Sequence, residues 1–428
     1  MKTSLRLNAK LLPLVGLLAL LMQIIDPSRA WVILLVGIGG TWIICRFWAR
    51  GLARSLGFER ELRYGWAQVG DRLEERFTLT NSFFLPATWV AVDDHSNLPD
   101  HNSSVATGVD GNGRSQWRIL SQCTRRGVYT LGGATLESGD PFGVYTVTLE
   151  DRSSSTLAVM PPVVSLPKFK ILSSGQAGED RSRYRMVADA VNASHTREMT
   201  PNDPLRLVHW KTTARRNKFY IRQSEETPAG DWWILLDLHD ASQLGAGWHS
   251  TEEHGVILAA SLAAQGLSDG HPVGLAVNGS GSAWHVPRRN EHQQRALLKS
   301  LATASPAGMN LKEYLARMAR SFGAHCSLLV VTACTEPEWV AALAPLMWRG
   351  VMPTVFLFDP PTFGGVTDGK PVLDGLRMLG VPCHVIPREF LDKPQARPGH
   401  AGEWDWRITA TGKAVPVRVP DAEWRRLA

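Results

Sequence analysis

Hydrophobic and polar positions change their rhythm along these 428 residues, and each rhythm predicts a different kind of structure. First come two nearly unbroken apolar runs, Leu11–Ile25 and Trp31–Cys45, separated by Asp26-Pro27-Ser28-Arg29-Ala30. Each falls somewhat short of the roughly 20 residues that a bilayer-spanning helix needs. Lys10 and Arg46 can snorkel, and Trp31, Trp42 and Trp48 suit the interface, so the pair predicts a transmembrane helical hairpin over residues 1–54. Lys2, Arg6 and Lys10 precede it, Arg46, Arg50 and Arg54 follow it, and only Arg29 lies between. That bias predicts a multi-pass protein of the cytoplasmic membrane, in contact with lipid through residues 11–45, with both flanks and the soluble domains in the cytoplasm. A leader cleaved at Ser28-Arg29-Ala30 is the rival expectation.

Residues 55–165 alternate apolar and polar side chains in short segments: Leu73–Thr80, Thr88–Val92, Trp117–Leu120, Gly127–Leu131, Tyr145–Leu149 and Leu157–Met160. Breaks of Gly, Pro, Asn and Asp separate them, which predicts an antiparallel β-sandwich. Asp140-Pro141-Phe142-Gly143 reads as a tight turn whose Phe packs back onto the sandwich. Residues 166–390 have a third rhythm, buried strands alternating with amphipathic helices. Strands are predicted at Trp232–Leu238, Pro272–Asn278, Ser327–Ala333, Pro353–Phe358 and Pro382–Ile386. Helices are predicted at Glu252–Leu267, His292–Ala302, Leu311–Arg320, Pro337–Arg349 and Val372–Leu379. This is the pattern of a mostly parallel sheet covered on both faces. Residues 391–428 read as an irregular tail, so the fold class is multidomain: helical hairpin, β-sandwich, then α/β.

Composition narrows the chemistry. A net charge of +6 is modest for this length, no nucleic-acid-binding signature is present, and no nucleic-acid partner is expected. The five cysteines are scattered without a C-x-x-C, which suits free thiols in a reducing compartment. Gly364 to Lys370 fits the spacing of a phosphate loop, but Pro371 replaces the hydroxyl that would hold magnesium, so a surface turn is expected.

The densest stretch is His195 to Glu226, where no acidic residue falls between Asp203 and Glu225. Arg206, His209, Trp210, Arg215, Arg216 and Arg222 lie inside that interval. The residues Asp203, Arg206, Trp210, Thr213-Ala214-Arg215, Arg222 and Glu225 resemble the signature of the bacterial family called domain of unknown function 58. Arg126-Gly127, Tyr129, Gly132 and Asp140-Pro141-Phe142-Gly143 resemble its upstream segment. The resemblance covers roughly residues 50–390, with the signature at 195–226. It implies a membrane-anchored protein whose C-terminal domain, 166–390, is similar to von Willebrand factor A-type domains. It also implies a MoxR-type AAA+ ATPase and other membrane proteins as partners.

Those domains hold a hard cation through an Asp-x-Ser-x-Ser motif at the end of the first strand. Here Asp237 is kept, but His239 and Ala241 occupy the hydroxyl positions; Asp240 could substitute a carboxylate, and Ser242 is one residue out of register. The expectation is a degenerate site without cofactor, magnesium being the ion it would take if any. Two functions stay open. One is a non-enzymatic interaction module for assembly or maturation of membrane-associated complexes. The alternative is an enzyme using Asp203, His209 and Asp237 on a cation-bound or phosphorylated ligand. For the signature itself, Trp210 is expected as a buried anchor and Arg215, rather than Arg216, as the structural arginine.

Overall fold

The apolar runs at the N-terminus form helices, and the alternating segments after them form strands that bury one side of each. The computed structural model describes residues 2–63, 65–172, 195–199, 210–216, 218–223, 230–281, 283–323, 326–391, 405–408, 414–417 and 425–426. It divides into two units, Met1–Pro162 with Pro394–Trp406 and Pro416–Ala428, and Val163–Lys393 with Arg407–Val415.

In the first unit, β1 (Lys2–Leu7) leads into α1 (Leu11–Ile25) and α2 (Arg29–Ser55). By length and composition α2 could cross a membrane, whereas α1 is a shorter apolar helix of 15 residues. The second helix runs on past Cys45 because Cys45, Ala49 and Leu52 extend one buried stripe at helical spacing. Then follow β2 (Leu56–Leu62), β3 (Trp66–Gln68), β4 (Arg72–Asn81), β5 (Ala87–Asp94) and β6 (Val105–Val109). Next come β7 (Arg114–Gln122), β8 (Gly127–Gly139) and β9 (Tyr145–Met160). One sheet runs β1-β9-β8-β5-β6, with β3 parallel to β9, and a second joins β2, β4 and β7 antiparallel. Phe58, Phe77 and Leu79 of the second meet Val90, Val92, Leu136, Val147 and Leu149 of the first in one core, which α2 enters through Ala49 and Leu52.

The turn at Asp140 corrects one expectation. Phe142 is 71% exposed, and Asp140 is the residue that turns inward. Its Oδ1 accepts from Phe142 N at 3.0 Å and Val144 N at 3.3 Å, and Oδ2 accepts from Tyr145 N at 2.6 Å. Gly143 supplies the left-handed φ of 70° that closes the turn. With the carboxylate satisfying the backbone from inside, the ring is directed outward.

The second unit holds β10 (His195–Glu198), α3 (Trp210–Arg216) and β11 (Tyr220–Gln223), with β10 and β11 antiparallel. Next are β12 (Trp232–Asp237), α4 (Thr251–Ser268), β13 (Val273–Asn278), β14 (Trp284–Arg288), α5 (Glu291–Ala302) and α6 (Leu311–Met318). They are followed by β15 (Ser327–Thr332), a 3-10 stretch Pro337–Leu343, α7 (Ala344–Trp348), β16 (Met352–Phe358), α8 (Lys370–Leu379), β17 (Cys383–Ile386) and α9 (Arg388–Leu391). Strand order is β14-β13-β12-β15-β16-β17, parallel except for β14, so the sheet is mixed. Trp233, Leu235, Leu328, Val330, Val355 and Leu357 pack on one face with α6, the 3-10 stretch and α8. On the other face α4 comes so close that a Cβ at Gly266 would meet the Trp232 ring at 2.6 Å.

Three short strands, β18 (Asp405–Ile408), β19 (Ala414–Val417) and β20 (Arg425–Arg426), lie where an irregular tail is expected. β20 adds to β2 through Glu61↔Arg426 and Leu62↔Arg425, which caps an edge that β2 would otherwise leave open.

Candidate functional site

The strand order reverses at β12, which has β13 on one side and β15 on the other. In open α/β sheets such a switch point is where the carboxyl ends of the strands leave a crevice for ligands. Asp237 ends β12, opposite Asn278 at the end of β13. Thr332 ends β15 beside it. The three side chains are buried and bond to one another. Asp237 Oδ2 accepts from the Thr332 hydroxyl at 2.7 Å. Its Oδ1 accepts from Asn278 Nδ2 at 2.9 Å and from the His239 backbone N–H at 3.2 Å. Asn278 in turn ties down the loop before α6, donating to Met309 O at 2.7 Å. Burial pushes the Asp237 carboxyl above its ordinary range, and the bonds from Thr332, Asn278 and His239 oppose that only in part.

This donor set does not fit a hard cation. Both Asp237 oxygens are taken up by internal donors, and Ala241 offers no oxygen where a hydroxyl would serve. Asp240 is exposed, with Oδ1 accepting from Ala241 N at 3.0 Å and lying 3.6 Å from His239 Nε2. Ser242 Oγ lies 3.4 Å from His239 Nδ1. Asp240 and Ser242 thus organise the short 3-10 turn Asp240–Ser242. Among the described residues no group of three or more His, Cys, Asp or Glu side chains is placed to hold a metal ion.

Asp203, Arg206, His209 and Glu225 lie outside the described residues, and so does any convergence of Asp203 and His209 with Asp237. Trp210 opens α3 and is 65% exposed, so it is not the buried anchor expected; its ring meets Phe219 edge-on at 6.4 Å. Arg215 and Arg216, in the last turn of α3, are both exposed. Among the described residues Arg216, not Arg215, is the one laid over an aromatic ring, with its guanidinium 5.5 Å from the Tyr220 centroid. The tryptophan and both arginines are exposed at different points round this seven-residue helix, and the backbone of Tyr220 closes the segment by donating to Thr213 Oγ1 at 3.1 Å. Arg222 lies on β11 opposite Thr196 of β10.

Sequence reasoning missed a second polar centre, inside the sandwich. Arg60 Nη2 donates to Glu75 Oε1 at 2.7 Å and Nη1 to Asp94 Oδ1 at 2.7 Å. His101 Nε2 hydrogen-bonds Asp94 Oδ2 at 3.2 Å, lies 3.2 Å from Glu75 Oε2, and its Nδ1 meets Ser121 Oγ at 2.7 Å. All four charged or titratable side chains are at most 5% exposed. Period-2 counting could have found them. Arg60 follows Phe58 on the inward side of β2, Glu75 lies between Leu73 and Phe77 on β4, and Asp94 follows Val90 and Val92 on β5. A third feature is a groove of about 300 Å³ between β14 and the start of α5, lined by Trp284, His285, Arg288, His292 and Gln293 among others. None of the residues picked from the sequence lines it.

The second unit is thus an α/β domain with a helix-covered mixed sheet and a buried carboxylate at its switch point. Residues 195–361 match the family described as Protein of unknown function DUF58, which supports the family that the sequence resembles. No curated protein matches the chain. Among solved structures, the complex of Zinc 2-glycoprotein and Prolactin inducible protein from human seminal plasma is similar at 9% identity and a TM-score of 0.20, over 25% of this chain and 96% of that one. The CARDB domain of a Pyrococcus furiosus protein in complex with di-metal ions is similar at 11% identity and a TM-score of 0.19, over 25% and 90%. At these scores neither carries an argument about what this chain does.

Proposed function

We propose that the chain is a membrane-anchored, non-enzymatic interaction module with a von Willebrand factor A-like second unit, acting with a MoxR-type AAA+ ATPase on membrane-associated complexes. The observation that carries the anchor is β1. It pairs with β9 from Lys2↔Glu150 to Leu7↔Tyr145, directly before α1 begins. Directly after α2, β2 re-enters the same core. A helical pair whose two outer ends are both rooted in one sandwich must have both on one side of a bilayer. The Lys and Arg residues that flank it then favour the cytoplasmic side. The non-enzymatic reading is supported by Asp237, which is buried and whose two oxygens accept three internal hydrogen bonds, from Thr332, Asn278 and His239. The ATPase partner rests on the resemblance alone.

The test is co-purification. The full chain, extracted from its native membrane in mild detergent, is expected to retain an AAA+ ATPase. Recovery of the protein without any such ATPase, under conditions that preserve other membrane complexes, would refute the partner.

A further inference from the structure

Although α2 as a whole is long enough to cross a membrane, α1 and the part of α2 that lies before the sandwich core are each shorter than a bilayer. At 1.5 Å per residue, α1 is about 22 Å long, and the part of α2 before Cys45 is about 24 Å. The hydrocarbon core of a bilayer is about 30 Å thick. Cys45, Ala49 and Leu52 cannot supply the missing length, because they are buried in the sandwich.

Exposed aromatic side chains at one end of the sandwich can. The turn at residues 82–86 lies against α2: Trp48 Nε1 donates to Pro86 O at 3.0 Å, and the Phe47 ring lies 5.7 Å from Phe83 and 6.2 Å from Phe84. The turn at Asp140 adjoins the start of α1, since Asn8 N donates to Val144 O at 2.9 Å. Both turns therefore lie where the two helices leave the sandwich. Phe84 is 61% exposed at the tip of one, Phe142 is exposed at the tip of the other, and Phe47 is exposed between them and the exposed Ile43 and Ile44. An apolar surface thus continues from α2 through Phe47 onto Phe83 and Phe84, and Phe142 lies exposed on the turn beside the start of α1. Cations mark its margin: Lys10 precedes α1, Arg50 and Arg54 are exposed beyond Phe47, and Arg46 stacks 5.7 Å over Trp42. The neighbouring turn, where Asn112 N donates to Phe83 O at 2.7 Å, carries exposed Asp110, which limits immersion to the headgroup level.

We infer that this end of the sandwich is itself a lipid-contacting surface, with Phe84 and Phe142 set into the membrane interface and completing the hydrophobic length of the hairpin. The inference rests on the anchor reading above. A hydrophobic stretch shorter than the bilayer draws its flanking aromatic and basic groups into the interface, and here two of those groups belong to turns of a folded domain.

The full chain is reconstituted in phosphatidylethanolamine–phosphatidylglycerol vesicles after Cys383→Ser, the other four cysteines being buried. An environment-sensitive fluorophore is attached in turn at Phe84→Cys, Phe142→Cys, Ile33→Cys as a membrane reference, and Val366→Cys as a water reference. All four positions are exposed, so labelling leaves the fold intact. The labels at 84 and 142 are expected to emit to the blue of the label at 366, to lose quenching by aqueous iodide, and to be quenched by shallow spin-labelled lipid. The label at 33 is expected to be quenched by deep spin-labelled lipid. If 84 and 142 behave like 366 while 33 remains deep, the sandwich end stays in water and the inference falls with the anchor intact. If 33 also behaves like 366, the anchor reading falls and takes the inference with it.

Discussion

The two buried polar centres solve the same problem in opposite ways. In the sandwich, a guanidinium lies between two carboxylates, with His101 beside all three and Ser103 also bonding Asp94. At the carboxyl end of the interior strand β12, one carboxylate is hydrogen-bonded only by neutral donors. The consequences for acidity diverge. Burial raises the Asp94 carboxyl, but hydrogen bonds from His101 and Ser103 and the Arg60 charge outweigh it and hold the group well below the usual carboxylate range. Burial at Asp237 is only partly opposed, and its carboxyl stays high. The cation alone does not decide the direction, because Glu75 shares the Arg60 guanidinium and burial still holds its carboxyl above the ordinary range; Asp94 has the hydroxyl and imidazole donors as well. A buried carboxylate without a cation is either a ligand waiting for a counter-ion or a hydrogen-bonding post, and the three internal donors on Asp237 favour the post.

The first way to break the comparison is to remove the cation. Arg60→Ala leaves Glu75 and Asp94 buried without their partner and is expected to cost about 3–5 kcal/mol in urea melts of the detergent-solubilised chain. A loss under about 1 kcal/mol would mean that water reaches the cluster, and the contrast with the end of β12 would vanish.

At the end of β12 the corresponding change is smaller. Asp237→Ala strands the Thr332 hydroxyl and one amide proton of Asn278 and is expected to cost about 1–3 kcal/mol. Asparagine keeps the shape and sharpens the comparison through pH. The folded-state pKa of Asp94 is depressed, so its contribution is present above the unfolded value, about 3.9, and is lost as pH falls. The folded-state pKa of Asp237 is raised, so its contribution is present below about 3.9 and is lost as pH rises. The deficit of Asp94→Asn should therefore shrink on acidification, whereas Asp237→Asn should gain on the parent as pH rises toward neutrality. Parallel pH profiles for the two variants would contradict the assignment of opposite environments.

The same contrast explains what could be read in the sequence. Continuous apolar runs such as Trp232–Asp237 and Ser327–Thr332 announce strands buried on both faces, because every position needs the same kind of side chain. β14 was missed because Trp284–Arg288 mixes Pro287 and charges, which only an edge strand tolerates. The helix expected over 337–349 divides into a 3-10 stretch and the short α7. In the sandwich the period was legible, yet Arg60, Glu75 and Asp94 looked like solvent-facing charges unless each was counted against its own strand. At the candidate site Asp237 was legible from its place after a buried strand. Its partners Asn278 and Thr332 were not, since an asparagine and a threonine carry no signal until β13 and β15 are set beside β12.

The smallest effects are expected in the signature, where the sequence promised the largest. A buried tryptophan replaced by alanine costs about 3–5 kcal/mol. Trp210 is mostly exposed and meets one ring, Phe219, so Trp210→Ala should cost under about 1 kcal/mol. Between the arginines the order expected from sequence reverses. Arg216 lies over the Tyr220 ring, a contact worth about 0.5–1 kcal/mol at an exposed site, whereas Arg215 is exposed without a ring beneath it among the described residues. Arg216→Ala should therefore destabilise slightly more than Arg215→Ala, and Tyr220→Leu should erase the difference by removing the π face while keeping an apolar side chain. If Trp210→Ala or Arg215→Ala instead costs several kcal/mol in the full chain, those side chains are covered in solution, and the signature would join the two buried centres as a third structural one. A small cost, combined with loss of the co-purifying ATPase in the same variants, would place α3 at the partner surface.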